Sequence, residues 1–131
     1  MASSPTVLAG QDLTALLVGV PAWTAMSLLN GWANTGGGNV SAQYRTWPLL
    51  NSVEVIGTIN AGTLTNGTNI ATGLPVAASS QFVIVMVTTS TGAVAVTTPR
   101  LFVDTSGDLQ VFSIPASTTT ISFHGWYSLD A

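Results

Sequence analysis

Val40-Ser41-Ala42-Gln43-Tyr44-Arg45-Thr46-Trp47 is the stretch on which the fold turns. In an extended chain Val40, Ala42, Tyr44 and Thr46 fall on one face and Ser41, Gln43, Arg45 and Trp47 on the other. The stretch therefore reads as a strand. Its surroundings repeat the theme of short strands separated by turn residues. Upstream, Trp23 to Leu29 predicts a strand ended by Asn30-Gly31, and Thr35 to Asn39, with three successive glycines, a loop. Downstream come Val53 to Ile59, a turn at Asn66-Gly67, and a short strand over Asn69 to Thr72.

Gln81 to Thr88 is nearly all apolar and predicts a central strand covered on both faces. Thr89 to Gly92 turns the chain into a strand over 93–97. Arg100 to Val103 and Leu109 to Phe112 flank Asp104-Thr105-Ser106-Gly107-Asp108 as a hairpin, and Thr120 to Leu129 is the last strand. About eight short strands make an all-β protein, and the economical architecture is an antiparallel, jelly-roll-like β-sandwich. That domain is expected over residues 23–131. Residues 1–22 are expected to form an arm, because Leu13, Leu16 and Leu17 have helical spacing between a cap at Asp12 or Thr14 and a stop at Gly19-Val20-Pro21. So short a helix is marginal alone and is expected to lie against this domain or a neighbouring subunit.

Charged residues make up 5% of the 131-residue chain, against about 25% in ordinary soluble domains. The apolar set is 47%, and the mean hydropathy is +0.51. Such a chain either enters a membrane or hides apolar surface against copies of itself. Leu13 to Leu29 is uncharged and long enough to approach a span, but Gly19 and Pro21 interrupt it, Asp12 opens it, and no Lys or Arg precedes it. The expectation is no membrane span. With a net charge of −3 and Arg45 and Arg100 as the basic residues, the chain is unsuited to a phosphate backbone, so no nucleic-acid partner is expected. It has no cysteine, which removes disulfides and thiolate metal sites.

Little in the sequence points to catalysis. His124 alternates with Ile121, Phe123 and Gly125 and reads as a strand residue facing solvent or a subunit contact. There is no Gly-x-Ser-x-Gly elbow. Asp104 and Asp108 belong to a turn whose Asp, Ser and Gly are ordinary turn chemistry. As a calcium loop it lacks the closing Glu, since that position is Pro115. Gly36-Gly37-Gly38 lacks the Lys-Ser/Thr and the helix of a phosphate loop. The chain is read as a non-enzyme that needs no cofactor. Of its four tryptophans, Trp47 shares a face with Gln43 and Arg45, so Tyr44, Arg45 and Trp47 are the candidate ligand platform.

Several stretches together resemble the compact terminal domain of tail-fibre and minor tail proteins from phages of actinobacteria and other Gram-positive hosts. Val7-Leu8-Ala9-Gly10-Gln11-Asp12-Leu13-Thr14-Ala15 is similar to the family's opening. Leu28-Leu29-Asn30-Gly31-Trp32, the three glycines and Ala42-Gln43-Tyr44-Arg45 follow its next stretch. Val53 to Ile59, Gly62-Thr63 and Leu74-Pro75 follow its middle run, and Gly107 to Val111 with Ile121-Ser122-Phe123 its closing hairpin. Where the family often continues Leu-Pro with Gly-Tyr-Arg-Pro, this chain has Val76-Ala77-Ala78, so that loop's contacts are not carried over.

The resemblance implies a β-sandwich, commonly trimeric, with no catalytic residues. It leads to the expectation of a structural protein on the virion surface, decorating the capsid or forming a tail or fibre tip. The absence of a long shaft favours a stand-alone role. Its partners would be copies of itself and other capsid or tail proteins, joined through Leu13, Leu16, Leu17, Val18 and Trp23. The alternative is a host-attachment module that binds surface carbohydrate.

Overall fold

The computed structural model describes residues 19–60, 62–63, 65–90, 100–113 and 120–130, with backbone alone for 84–90. The expected helix with Leu13, Leu16, Leu17 and Val18, and the expected strand over 93–97, lie outside the described residues. The strands are β1 (Thr24–Ala25), β2 (Ser27–Leu28), β3 (Ala33–Asn34), β4 (Gln43–Trp47), β5 (Ser52–Asn60), β6 (Thr68–Thr72), β7 (Gln81–Phe82), β8 (Ile84–Ser90), β9 (Arg100–Val103), β10 (Leu109–Phe112) and β11 (Thr120–Ser128). They form two antiparallel sheets, the expected sandwich. The larger runs β1-β4-β5-β11-β8, with β3 also on β5; the smaller runs β2-β6-β10-β9-β7.

Two predicted strands are each divided between the sheets. Within Trp23 to Leu29, β1 pairs with β4 in the large sheet and β2 with β6 in the small one. Within Gln81 to Thr88, β7 pairs with β9 and β8 with β11. The chain turns the corner at Met26 and Val83, both buried. The corner backbone stays paired: the Met26 N–H donates to Ala42 O at 3.0 Å and the Val83 N–H to Leu101 O at 2.9 Å. Each corner chain thus ties one sheet to the other, as strands do where a sandwich bends from layer to layer. As a result β8 ends the large sheet among the described strands instead of lying at its centre.

The core follows from alternation. Val53, Val55 and Ile59 of β5 and Ile121, Phe123 and Tyr127 of β11 point inward. They meet Ile70, Leu101, Val103, Leu109 and Val111 of the small sheet. Burying each such aliphatic side chain stabilises the fold by about 1.5–3 kcal/mol relative to exposure. Gly57 pairs with Phe123 across the β5–β11 ladder. A Cβ at residue 57 would stand 2.6 Å from the Ala42 Cα and 3.0 Å from the Phe123 ring, so glycine is required for the close approach.

One end of the sandwich carries exposed apolar residues. A 3-10 turn over Pro48–Leu50 closes on Asn51, whose φ is 44°, and leaves Leu49 and Leu50 92% and 67% exposed. The Leu129 N–H donates to Asn51 O and the Ala78 N–H to Leu129 O, which brings the segment with exposed Val76 to the same end. At the 104–108 hairpin, one Asp104 carboxylate oxygen accepts from the N–H groups of Ser106 and Asp108. Asp108 in turn accepts from Asn69 and Thr72. Both acids serve the turn and its anchoring.

Candidate functional site

The outer face of the large sheet holds a connected group of charged and aromatic side chains. It is built by register. Glu54 of β5 lies opposite Arg45 of β4 and opposite Trp126 of β11, so the three stand side by side. His124 is two residues before Trp126 on the same face, and Trp47 two residues after Arg45.

Glu54 organises the group. It is 5% exposed, and both carboxylate oxygens are occupied. One accepts from Arg45 Nε at 2.8 Å and Trp47 Nε1 at 2.9 Å; the other meets His124 Nε2 at 2.7 Å. Burial alone would raise the Glu54 carboxyl. The hydrogen bonds from His124, Trp47 and Arg45, together with the Arg45 charge, outweigh it and hold the carboxyl below its ordinary value. Because an ionised carboxylate can only accept, His124 Nε2 carries a proton. In the neutral ring, Nδ1 is then an acceptor with no partner among the described residues, on a side chain 44% exposed.

Arg45 is fixed on more than one side. Its guanidinium carbon lies 4.0 Å from the centre of the Trp23 ring and 4.7 Å from that of Trp47, cation–π distances worth about 0.5–2 kcal/mol each. His124 lies 4.7 Å from the Trp126 ring, tilted by 37°, and Trp126 is 40% exposed. Beside His124 is a shallow, open depression of about 230 Å³ lined by Val40, Ile56, Thr58, Ser122 and the backbone neighbours Gly57 and Phe123.

Of the expected platform, Arg45 and Trp47 are brought together, while Tyr44 is not. It lies on the core-facing side of β4, packed against the interior, with its hydroxyl 3.4 Å from Gly73 O. Trp23, expected at a subunit contact, is half-buried beside Arg45. Glu54, His124 and Trp126 complete the group. The signal for Glu54 was a lone acid within Val53-Glu54-Val55-Ile56; its link to His124 spans 70 residues and leaves no local trace.

The arrangement suits binding better than proton transfer. Ser122, on the same face as His124, is hydrogen-bonded to Thr58 Oγ1 at 3.2 Å. Among the described residues, no hydroxyl is hydrogen-bonded to the imidazole.

No family profile and no curated protein matches this sequence. Among solved structures, the chain is similar to the receptor-binding protein gp15 of Listeria phage PSA. The match has 15% identity and a TM-score of 0.61, covering 97% of this chain and 77% of that one. At that identity the likeness is one of fold.

Proposed function

We propose that this chain is a non-enzymatic structural component of a phage particle that takes part in attachment to the host. The observation that carries the reading is the shared fold with a phage receptor-binding protein over nearly the whole chain. It agrees with the independent resemblance of the sequence to tail-fibre and minor tail domains. The protein sits on the virion surface, in capsid or tail, as a homo-oligomer; the family resemblance favours a trimer. Two observations support association: the scarcity of charge and the exposed Leu49, Leu50 and Val76 at one end. Leu13, Leu16, Leu17 and Val18 are further candidates for subunit contacts on the strength of the sequence.

The outer face of the large sheet favours the more specific reading, a host-surface carbohydrate contact. Indoles supply flat apolar surface, and Arg45 and His124 supply hydrogen-bonding groups at the rim. The test is direct. Antibody against the chain should label the surface of purified phage particles, and the isolated protein should bind host cells and slow phage adsorption. Unlabelled particles, or adsorption unaffected by saturating protein, would overturn the proposal.

A further inference from the structure

Resting on the reading of the outer face as the contact surface, we infer that its ligand is an acidic saccharide, whose carboxylate or phosphate seats on the terminal nitrogens of Arg45. Those nitrogens are the site's unspent charged donors. Nε is committed to Glu54 at 2.8 Å, while among the described residues the terminal pair donates to nothing. Neither is fully buried, since the one fully buried unpaired side-chain polar atom among the described residues is Trp32 Nε1, and the Arg45 side chain is 19% exposed. Trp23, Trp47 and Glu54 hold the guanidinium in place, so a ligand meets a planar fork already oriented. That fork matches two oxygens of one anionic group.

The charge balance argues against a bare anion as the ligand. Glu54 cancels the Arg45 charge, so the pair offers a free anion directed donors and little net field. The remaining affinity must come from neighbouring groups. Across Glu54 on β11, two strand spacings or about 10 Å away, are the exposed Trp126 ring and the His124 Nδ1 acceptor; the apolar depression over Ile56 and Val40 adjoins them from β5. A sugar ring presents an apolar face to the indole and hydroxyl donors to Nδ1. The span suits a disaccharide or longer, with its acid over β4 and a ring over β11. Glu54 is a positioning residue, covered on the outer face by its three donors, with its side chain 7% exposed.

An array of bacterial surface glycans with carboxylate-bearing, phosphate-bearing and neutral members tests this on the intact chain. Bound glycans should be acidic, and the two acidic arms identify which anion is read. Arg45→Lys keeps the charge but loses the fork and should weaken binding about tenfold or more. Arg100→Gln removes the chain's other basic charge, which lies over Phe82 on the small sheet, and should leave binding within about twofold. In nuclear magnetic resonance titrations of the unaltered protein, which do not depend on any variant folding, a bound glycan should shift the indole N–H signals of Trp47 and Trp126 and spare that of Trp32. Equal binding of neutral glycans untouched by Arg45→Lys would overturn the inference while leaving the attachment reading standing. Equal losses for Arg45→Lys and Arg100→Gln would overturn it, as would inorganic phosphate alone reproducing the shifts. So would a chain that binds host cells yet no glycan.

Discussion

Replacing Glu54 with glutamine removes one charge and almost no volume, so it isolates the electrostatic part of the outer-face network. In the native protein three donors converge on the carboxylate: Arg45 Nε, Trp47 Nε1 and His124 Nε2. A hydrogen bond to a charged group contributes about 1.5–3 kcal/mol and a neutral one about 0.5–1.5, so three bonds lose about 3 kcal/mol. Two effects reduce that loss. A neutral amide is cheaper to bury than a carboxylate, and Arg45, 19% exposed at its side chain, recovers some solvation. In addition the amide NH2 faces His124 Nε2–H, donor against donor, until the imidazole moves its proton to Nδ1. The expected net loss at pH 7 is about 1–2 kcal/mol, or about 4–8 °C in Tm for a chain of this size.

The pH dependence supplies the sharper test. Because the folded carboxyl titrates below its unfolded value, ordinarily 4.5, its contribution is fully present above that value. It is lost as pH falls through the folded one. The gap between native protein and Glu54→Gln, measured by urea unfolding at a series of pH values, should therefore be widest near neutrality and close in acid. Taking the difference cancels the carboxyls common to both proteins. A glutamine variant as stable as the native protein at pH 7, or a gap that widens below pH 4.5, would refute the network as described.

Other positions give independent checks. Gly57→Ala sets a methyl 2.6 Å from the Ala42 Cα and should cost about 2–3 kcal/mol by denaturant unfolding. Tyr127→Phe deletes the buried hydroxyl that donates to Pro75 O at 2.7 Å and should cost about 1–2 kcal/mol, read as a fall in the midpoint of thermal unfolding. The double variant Leu49→Asn, Leu50→Asn changes residues 92% and 67% exposed. It should leave the folding of the subunit within about 0.5 kcal/mol while lowering the oligomer mass in sedimentation, if that end joins the copies.

Period-two alternation made the strands legible in the sequence. Arg100 to Val103, the 104–108 turn and Leu109 to Phe112 match β9, the hairpin and β10, because their partners lie close along the chain. Alternation also placed Arg45 and Trp47 on one face and Tyr44 on the other, which is where they lie. It could not reveal that Trp23 to Leu29 and Gln81 to Thr88 each change sheets. An apolar run looks the same whether it stays in one layer or turns a corner at a buried Met26 or Val83.

The sequence by itself determined that the chain is all-β, poor in charge and built to bury apolar surface, since these follow from composition and from a repeat of two that needs no knowledge of partners. The site was decided by tertiary structure alone. Which strand lies beside β5, and in which register, is set by ladders joining distant segments, and those ladders bring Arg45 and Trp126 to either side of Glu54 and place His124 against its carboxylate. A face can be read from one strand; a neighbour across it exists only once the sheet has formed.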